Sequence, residues 1–379
     1  MKTMKIALGF LGLALFATSC ENEMEEMDTR LTTSAVTQHA VVSPQDGRLN
    51  TRVTLKNLSD VKLISENLRG YFVINNAVEA TDCGPTEFIS VQNKYIGQLG
   101  RELVPVFGGP TANYLFNLYM NINFVSAYFD RSPNQYFGEK GEYTNFVTKR
   151  TRELEGFWNM PGQIRVNGQH NETLNDRNKV GYILYNYFSG FASEKEAYDY
   201  ADILVGINAT MATLPESPFF AIDGFATSGN LIVIGDGLVG MMTEAGVEQD
   251  IVWTGILAHE WAHQIQFDNT AAWYPAGAAD NAPEATRYTE LEADFMAAYY
   301  MTHKRGATYN WKRVEQFFNL FFQIGDCSFG SAGHHGTPAQ RLAAAQLGYE
   351  TANQAQKQGH ILSPQQLHEL FVASINNLL

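Results

Sequence analysis

The pattern of apolar and polar positions changes character in the second half of the chain. Leu231, Ile232, Val233 and Ile234 form a continuous apolar, mostly β-branched run between Gly229 and Gly235, which predicts a short buried strand. Helical periodicity follows over about Glu248 to Phe267. A second helix is predicted to start near Pro283, a favoured first helical residue. It ends at His303-Lys304-Arg305 before Gly306, with cations in the last turn and glycine just beyond. A third opens at Thr337-Pro338-Ala339-Gln340, a capping box with proline at the first helical position, and is expected to run to Gly348.

Residues 51–215 read as mostly helical, punctuated by turns at Gly108-Gly109-Pro110, Ser132-Pro133 and Pro161-Gly162. This half shows no repeat and no chemical motif. Its aromatic cluster from Tyr182 to Phe191 is expected in the core, and its one histidine, His170, in a solvated polar loop. The charge-free stretch from Leu103 to Phe129 is interrupted by Pro105, Gly108, Gly109 and Pro110. It then carries Asn113, Asn117, Asn121 and Asn123, amides that would be costly at bilayer depth, so a buried core helix is predicted. The fold class is mainly α with a small β-sheet (α+β), divided into an N-terminal helical region, 51–215, and a second unit, 216–379.

The N-terminus is patterned differently. Lys2 and Lys5 precede a 12-residue apolar run, Ile6 to Ala17, too short to span a bilayer, and Ala17-Thr18-Ser19 leads into Cys20. This resembles a bacterial lipoprotein signal, with residues 1–19 removed and Cys20 lipidated; the alternative is an ordinary secretory peptide with a cysteine nearby. The Glu21-Asn22-Glu23-Met24-Glu25-Glu26 stretch resembles the surface-export signal of Bacteroides-type lipoproteins, and is otherwise a solvated charged tether. Residues 20–50 read as a flexible acidic tether. The expected location is the cell envelope, as a lipid-anchored outer-membrane protein facing either the periplasm or the surface, with the anchor as its membrane contact.

Composition narrows the partners. The chain has 379 residues, 45% apolar and 17% charged, enough apolar material for a large core and against whole-chain disorder. With 26 Lys and Arg against 40 Asp and Glu, the net charge is −14, which disfavours a nucleic-acid partner. Three cysteines do not make a disulfide-rich scaffold.

The chemistry lies in His259-Glu260-Trp261-Ala262-His263, an HExxH motif on the first of the three helices. At about 100° per residue, His263 lies about 40° and Glu260 about 100° from His259, so the two rings can share one metal with the carboxylate beside them. Leu257, Ala258, Trp261, Ala262 and Ile265 form the opposite, buried face. A catalytic zinc site needs a third protein ligand and one open position. Glu290 and Asp294, spaced i, i+4 on the next helix, supply a candidate ligand and a partner for the far nitrogen of a ligand imidazole. Glu292 is the rival ligand, projecting away if Glu290 projects inward. His335, two residues before the Thr337 cap, sits at an electropositive helix start and could donate to a developing oxyanion; the adjacent His334 is the alternative.

These residues resemble a known class. His259-Glu260-x-x-His263 with Glu290-x-x-x-Asp294 resembles the gluzincin zinc peptidases. Ile256-Leu257-Ala258 before the motif and Glu290-Leu291-Glu292-Ala293-Asp294 after it are similar to the heat-shock membrane protease HtpX and the CAAX-prenyl endopeptidases. His335-Gly336-Thr337-Pro338-Ala339-Gln340-Arg341 is similar to a signature of bacterial putative neutral zinc metallopeptidases. The likeness covers about residues 222–348. It lacks the membrane helices of the embedded relatives, and residues 51–215 match no part of it.

The resemblance implies a zincin-like metallopeptidase core within 216–379. One Zn2+ would be held by His259, His263 and Glu290, with Glu260 as general base, Asp294 behind the ligands and His335 as oxyanion donor. Arg341 would orient the His335 loop or serve as a structural partner. Leu231, Ile232, Val233 and Ile234 would form the edge along which an extended substrate pairs. The expected activity is a zinc metalloendopeptidase acting on protein or peptide substrates. The rivals are hydrolysis of a non-protein amide, such as a cell-wall crosslink, and a non-catalytic binding lipoprotein on the same fold. Cys83 and Cys327 would be disulfide-bonded or two buried thiols, with Cys83 as a latency ligand for the zinc the third reading.

Overall fold

The computed structural model describes residues 49–56, 87–273, 282–321, 336–358 and 360–375. The signal and most of the tether, Cys20, Cys83, Cys327, His334 and His335 lie outside the described residues.

The architecture is mainly helical with two small sheets, as the pattern predicts. In chain order come β1 (Thr54–Leu55), α1 (Glu87–Phe107), α2 (Gly109–Phe129), α3 (Thr144–Trp158), β2 (Arg165–Gln169), α4 (Arg177–Tyr187), β3 (Phe188–Ser189) and α5 (Glu194–Asn208). There follow β4 (Gly224–Thr227), β5 (Leu231–Gly235), α6 (Asp236–Glu244), α7 (Gln249–Trp273), α8 (Ala282–Thr302), α9 (Trp311–Phe321), α10 (Pro338–Gln358) and α11 (Pro364–Ser374). A contiguous cluster of buried apolar side chains extends from Val53 to Ile375.

The charge-free stretch forms α2, a core helix buried along most of its length from Ala112 to Tyr128. Its Asn123 is buried, and the amide donates to the Phe220 carbonyl at 2.7 Å, which removes the cost of an unpaired polar group. No helix among the described residues is long and apolar enough to cross a membrane.

The larger sheet has the order β2-β5-β4. β2 runs parallel to β5, with Arg165 opposite Leu231 and Gly168 opposite Ile234; β4 runs antiparallel, with Ala226 opposite Ile232. The β4–β5 turn is held by Asn230 in the left-handed region and by the Thr227 hydroxyl, which accepts from the Gly229 N–H. The apolar run at Leu231–Ile234 therefore forms the central strand of the sheet, flanked on both sides. That placement corrects the expected substrate-pairing edge: a run with no polar position is suited to burial on both faces, and its backbone groups already have strand partners.

The three expected helices are present. α7 begins near the expected point and runs to Trp273, six residues further than predicted. α8 ends at Thr302, so His303-Lys304-Arg305 lie beyond it and not in its last turn as expected; His303 is buried, with its Nε2–H donating to the His360 carbonyl at 3.1 Å. The Thr337–Gln340 capping box forms reciprocally: Gln340 N–H donates to the Thr337 hydroxyl at 3.2 Å, and Thr337 N–H to Gln340 Oε1 at 3.0 Å. α10 does not stop at Gly348 but continues to Gln358. A Cβ at 348 would collide with the Phe295 carbonyl and touch Ala298, so this glycine marks the close crossing of α8 and α10 and not a helix end.

Two expectations in the first half change. His170 is buried, not solvated, with Nδ1 2.5 Å from Asp236. The Tyr182–Phe191 cluster is divided: Ile183, Leu184 and Phe188 are in the core, while Tyr182 and Tyr185 are exposed. Tertiary contacts decide both outcomes, which local polarity does not reveal.

Candidate metal centre

α7 packs against β4 and β5 on one side and α8 on another, and α8 packs against α10. This burial extends to the ligand-bearing face. His259, Glu260 and His263 are all buried, as are Glu290, Glu292 and Asp294 on α8 and Arg341 on α10. Charged residues at such depth need partners, and each has one here.

His259 Nε2 lies 3.1 Å from His263 Nε2 and 3.2 Å from Glu290 Oε2, and His263 Nε2 lies 3.5 Å from Glu290 Oε1. Tetrahedral ligands about 2.0–2.1 Å from a central ion would be about 3.3 Å apart. The three residues thus form a buried group that could hold a metal ion, with their donor atoms already close to the required spacing.

Hydrogen bonds behind the rings turn the correct nitrogens inward. His259 Nδ1 is 3.0 Å from Asp294 Oδ1, a carboxylate that only accepts, so Nδ1 keeps a proton and Nε2 is the nitrogen that would give up its own to a metal. His263 Nδ1 is 2.8 Å from Gln266 Oε1. The Gln266 amide is oriented by its Nε2, which donates to the Thr289 carbonyl at 2.9 Å and to Glu292 Oε2 at 3.2 Å. Its oxygen must therefore accept from His263. Glu292 in turn accepts from His368 Nδ1 on α11 at 2.7 Å, and His368 stacks on Trp273 with centroids 4.3 Å apart. Arg341 binds Asp294 in a fork, Nε to Oδ2 at 2.7 Å and a terminal nitrogen to Oδ1 at 2.8 Å, and lies 3.7 Å from Glu290.

The electrostatics follow from these distances. Burial alone would push His259 down, but hydrogen bonds to Asp294 and Glu290 outweigh it and hold the ring up at about 9. Burial takes His263 down to about 4, against the pull of Glu290. The pair of carboxylates thus holds one positive charge among the rings, a place that a divalent cation would take over. Burial pushes Glu260 up to about 7, opposed by the charge of His259 and by a hydrogen bond from the Ala226 backbone. Burial works against Arg341, but Asp294 outweighs it and the guanidinium stays charged.

The structure thus brings together His259, Glu260, His263, Glu290, Asp294 and Arg341. Arg341 is seated on Asp294; the His335 loop, which it would otherwise orient, lies outside the described residues. Glu292 projects away from the cluster as expected, yet it is fully buried and tied to it through Gln266. Leu231–Ile234 do not supply a free edge. The outer edge beside Glu260 belongs to β4, whose Ala226 N–H reaches the Glu260 carboxylate. Sequence reasoning passes over Gln266 and His368. Gln266 follows His263 by three residues on a helix and was accessible to a search for same-face polar neighbours; His368, over a hundred residues away, gave no such signal. No family model, curated protein or solved structure matches the chain.

Proposed function

We propose that the protein is a zinc-dependent metalloendopeptidase, carried outside the cytoplasm on a lipid anchor at Cys20. The observation that supports this reading best is the convergence of His259 Nε2, His263 Nε2 and a Glu290 carboxylate oxygen, with a second acidic group, Glu260, one residue after His259 on the same helix. Two imidazoles and one carboxylate, leaving an open fourth position, are the donor set of catalytic zinc. Zinc bound there supplies Lewis acidity and makes water nucleophilic near neutral pH.

The chain's own groups would do the remaining work. Glu260, pushed up to about 7 by its buried setting, takes the proton of the attacking water and returns it to the departing amine. Asp294 and Gln266 hold the two ring tautomers, and Arg341 balances the charge of Asp294. An extended peptide would lie along β4, the edge next to Glu260, and His335, just ahead of the Thr337 cap, remains the oxyanion donor in this reading.

The test is Glu260→Gln on the full chain. The variant is expected to keep its zinc by elemental analysis and to lose hydrolysis of a casein-type substrate by at least about a hundredfold. Near-normal hydrolysis would remove Glu260 from the mechanism; loss of zinc together with activity would make it a ligand instead.

A further inference from the structure

At the edge of the sheet away from Glu260, β2 borders a cavity of about 350 Å3, within the range of small-molecule sites, about 300–1,000 Å3. None of the metal-site residues lines it. One wall carries His170. Its Nδ1 lies 2.5 Å from Asp236 Oδ2, and Asp236 Oδ1 accepts from the Gly138 N–H at 2.9 Å. The ring lies flat on Tyr136, centroids 3.7 Å apart at 7°. The carboxylate can only accept, so Nδ1 carries a proton, and in that tautomer Nε2 is the acceptor. The Nε2 edge lies over Gly168, where a Cβ would come within 2.5 Å of it. Glycine is what lets the backbone pass this close to the ring, and Nε2 meets no hydrogen-bond partner among the described residues.

Another part of the lining is aromatic. Phe129 and Tyr187 stack at 4.3 Å and 18°, and Tyr182 meets Tyr187 edge-on at 6.5 Å. Tyr182 is 55% exposed and lines the cavity. The polar part of the lining is fixed by its own bonds. Asp130 accepts from the Ser132 N–H at 2.7 Å and from Gln135 Nε2 at 3.0 Å, while Gln135 Oε1 accepts from the Gly168 N–H at 3.1 Å. Asn134 and Ser126 add an amide and a hydroxyl to the lining. The charged side chains there, Asp130 against Arg131 and Lys179, leave a single net positive charge.

A purely apolar ligand would leave the imidazole, amide and hydroxyl unpaired, and a multiply charged one would find too little opposite charge. A ring with apolar C–H faces and a rim of hydroxyl groups satisfies both parts of the lining. We propose that this cavity binds one or two sugar rings of a neutral glycan, stacked on Tyr182 and Tyr187 with a hydroxyl donated to His170 Nε2. The proposal is independent of the metal site.

The test is saturation-transfer NMR on the full chain with maltose, cellobiose, lactose and N,N′-diacetylchitobiose, each at up to about 10 mM, which detects affinities down to the millimolar range. At least one disaccharide is expected to bind. Tyr182→Ala, at an exposed position, is expected to weaken binding about tenfold or more with an unchanged unfolding temperature. Tyr182→Phe, which keeps the ring, is expected to bind as the parent does, and Asn134→Ala to weaken binding as well. Failure of all four sugars to bind overturns the proposal. So does sugar binding that survives both Tyr182→Ala and Asn134→Ala.

Discussion

Glu290 and Glu292 are two residues apart on α8, both buried, and the structure assigns them separable tasks. Glu290 faces the two histidine nitrogens at 3.2 and 3.5 Å. Glu292 faces the other way, accepting from His368 at 2.7 Å and from Gln266 at 3.2 Å. Glu290→Ala removes a donor from a three-donor set, so metal affinity should fall by far more than the roughly 10–100-fold seen when only an outer partner is lost. Glu292→Ala leaves all three donors but frees Gln266 from one of its anchors, so its loss of affinity should stay within that roughly 10–100-fold range. Its main effect should be on stability. A fully buried carboxylate with two hydrogen-bonded partners disappears, leaving His368 and Gln266 short of an acceptor, at a cost of about 3–5 kcal/mol. Elemental analysis after dialysis against graded chelator measures the first quantity, and urea unfolding of the metal-free protein the second. Equal loss of metal in the two variants, or an unfolding midpoint for metal-free Glu292→Ala unchanged from the parent, would refute the division of labour.

What the sequence reveals of this site is what helix geometry places on one face. His259 and His263 are i, i+4, as are Glu290 and Asp294, and each pair is legible from spacing because the two residues share a helix. Gln266 belongs to the same face of α7 and follows from the same rule. The Arg341 fork, the His368 buttress and the His170–Asp236 contact join residues 47, 76 and 66 positions apart, and no local pattern encodes them. The errors share that origin. Gly348 obeys the local rule for a helix stop, yet the close approach of Phe295 explains the glycine. Leu231–Ile234 has the composition of a strand, but whether a strand is central or at an edge depends on its neighbours, and β2 arrives from a part of the chain where no strand was predicted. The Tyr182–Phe191 run is as apolar as a core segment, but the turn of α4 sends Tyr182 outward.

Two further outcomes test the packing. Gly348→Ala is expected to destabilise the protein by about 1–3 kcal/mol, since a Cβ has no room between α8 and α10; an unchanged unfolding midpoint would show that the helices can part without cost. The last prediction concerns Asp223, which is buried beside β2 with its Oδ2 2.5 Å from Gln169 Nε2 and its N–H donating to Gln169 Oε1 at 3.0 Å. Burial raises its carboxyl from 3.8 to about 6, and the Gln169 donor only partly offsets this. The folded state therefore holds the proton more tightly than the unfolded chain. The stability this group contributes is complete below about pH 3.8 and is lost as pH rises through about 6, by about 3 kcal/mol over that window. Asp223→Asn keeps an oxygen for Gln169 Nε2 but carries no ionisable proton. Urea unfolding of parent and variant should therefore show a stability difference that moves in favour of the variant between about pH 4 and pH 7, with most of the change complete by about pH 6. A difference that stays constant across this range would mean that Asp223 is not ionising against its surroundings, and that Gln169 and the nearby backbone stabilise its charge as well as water does.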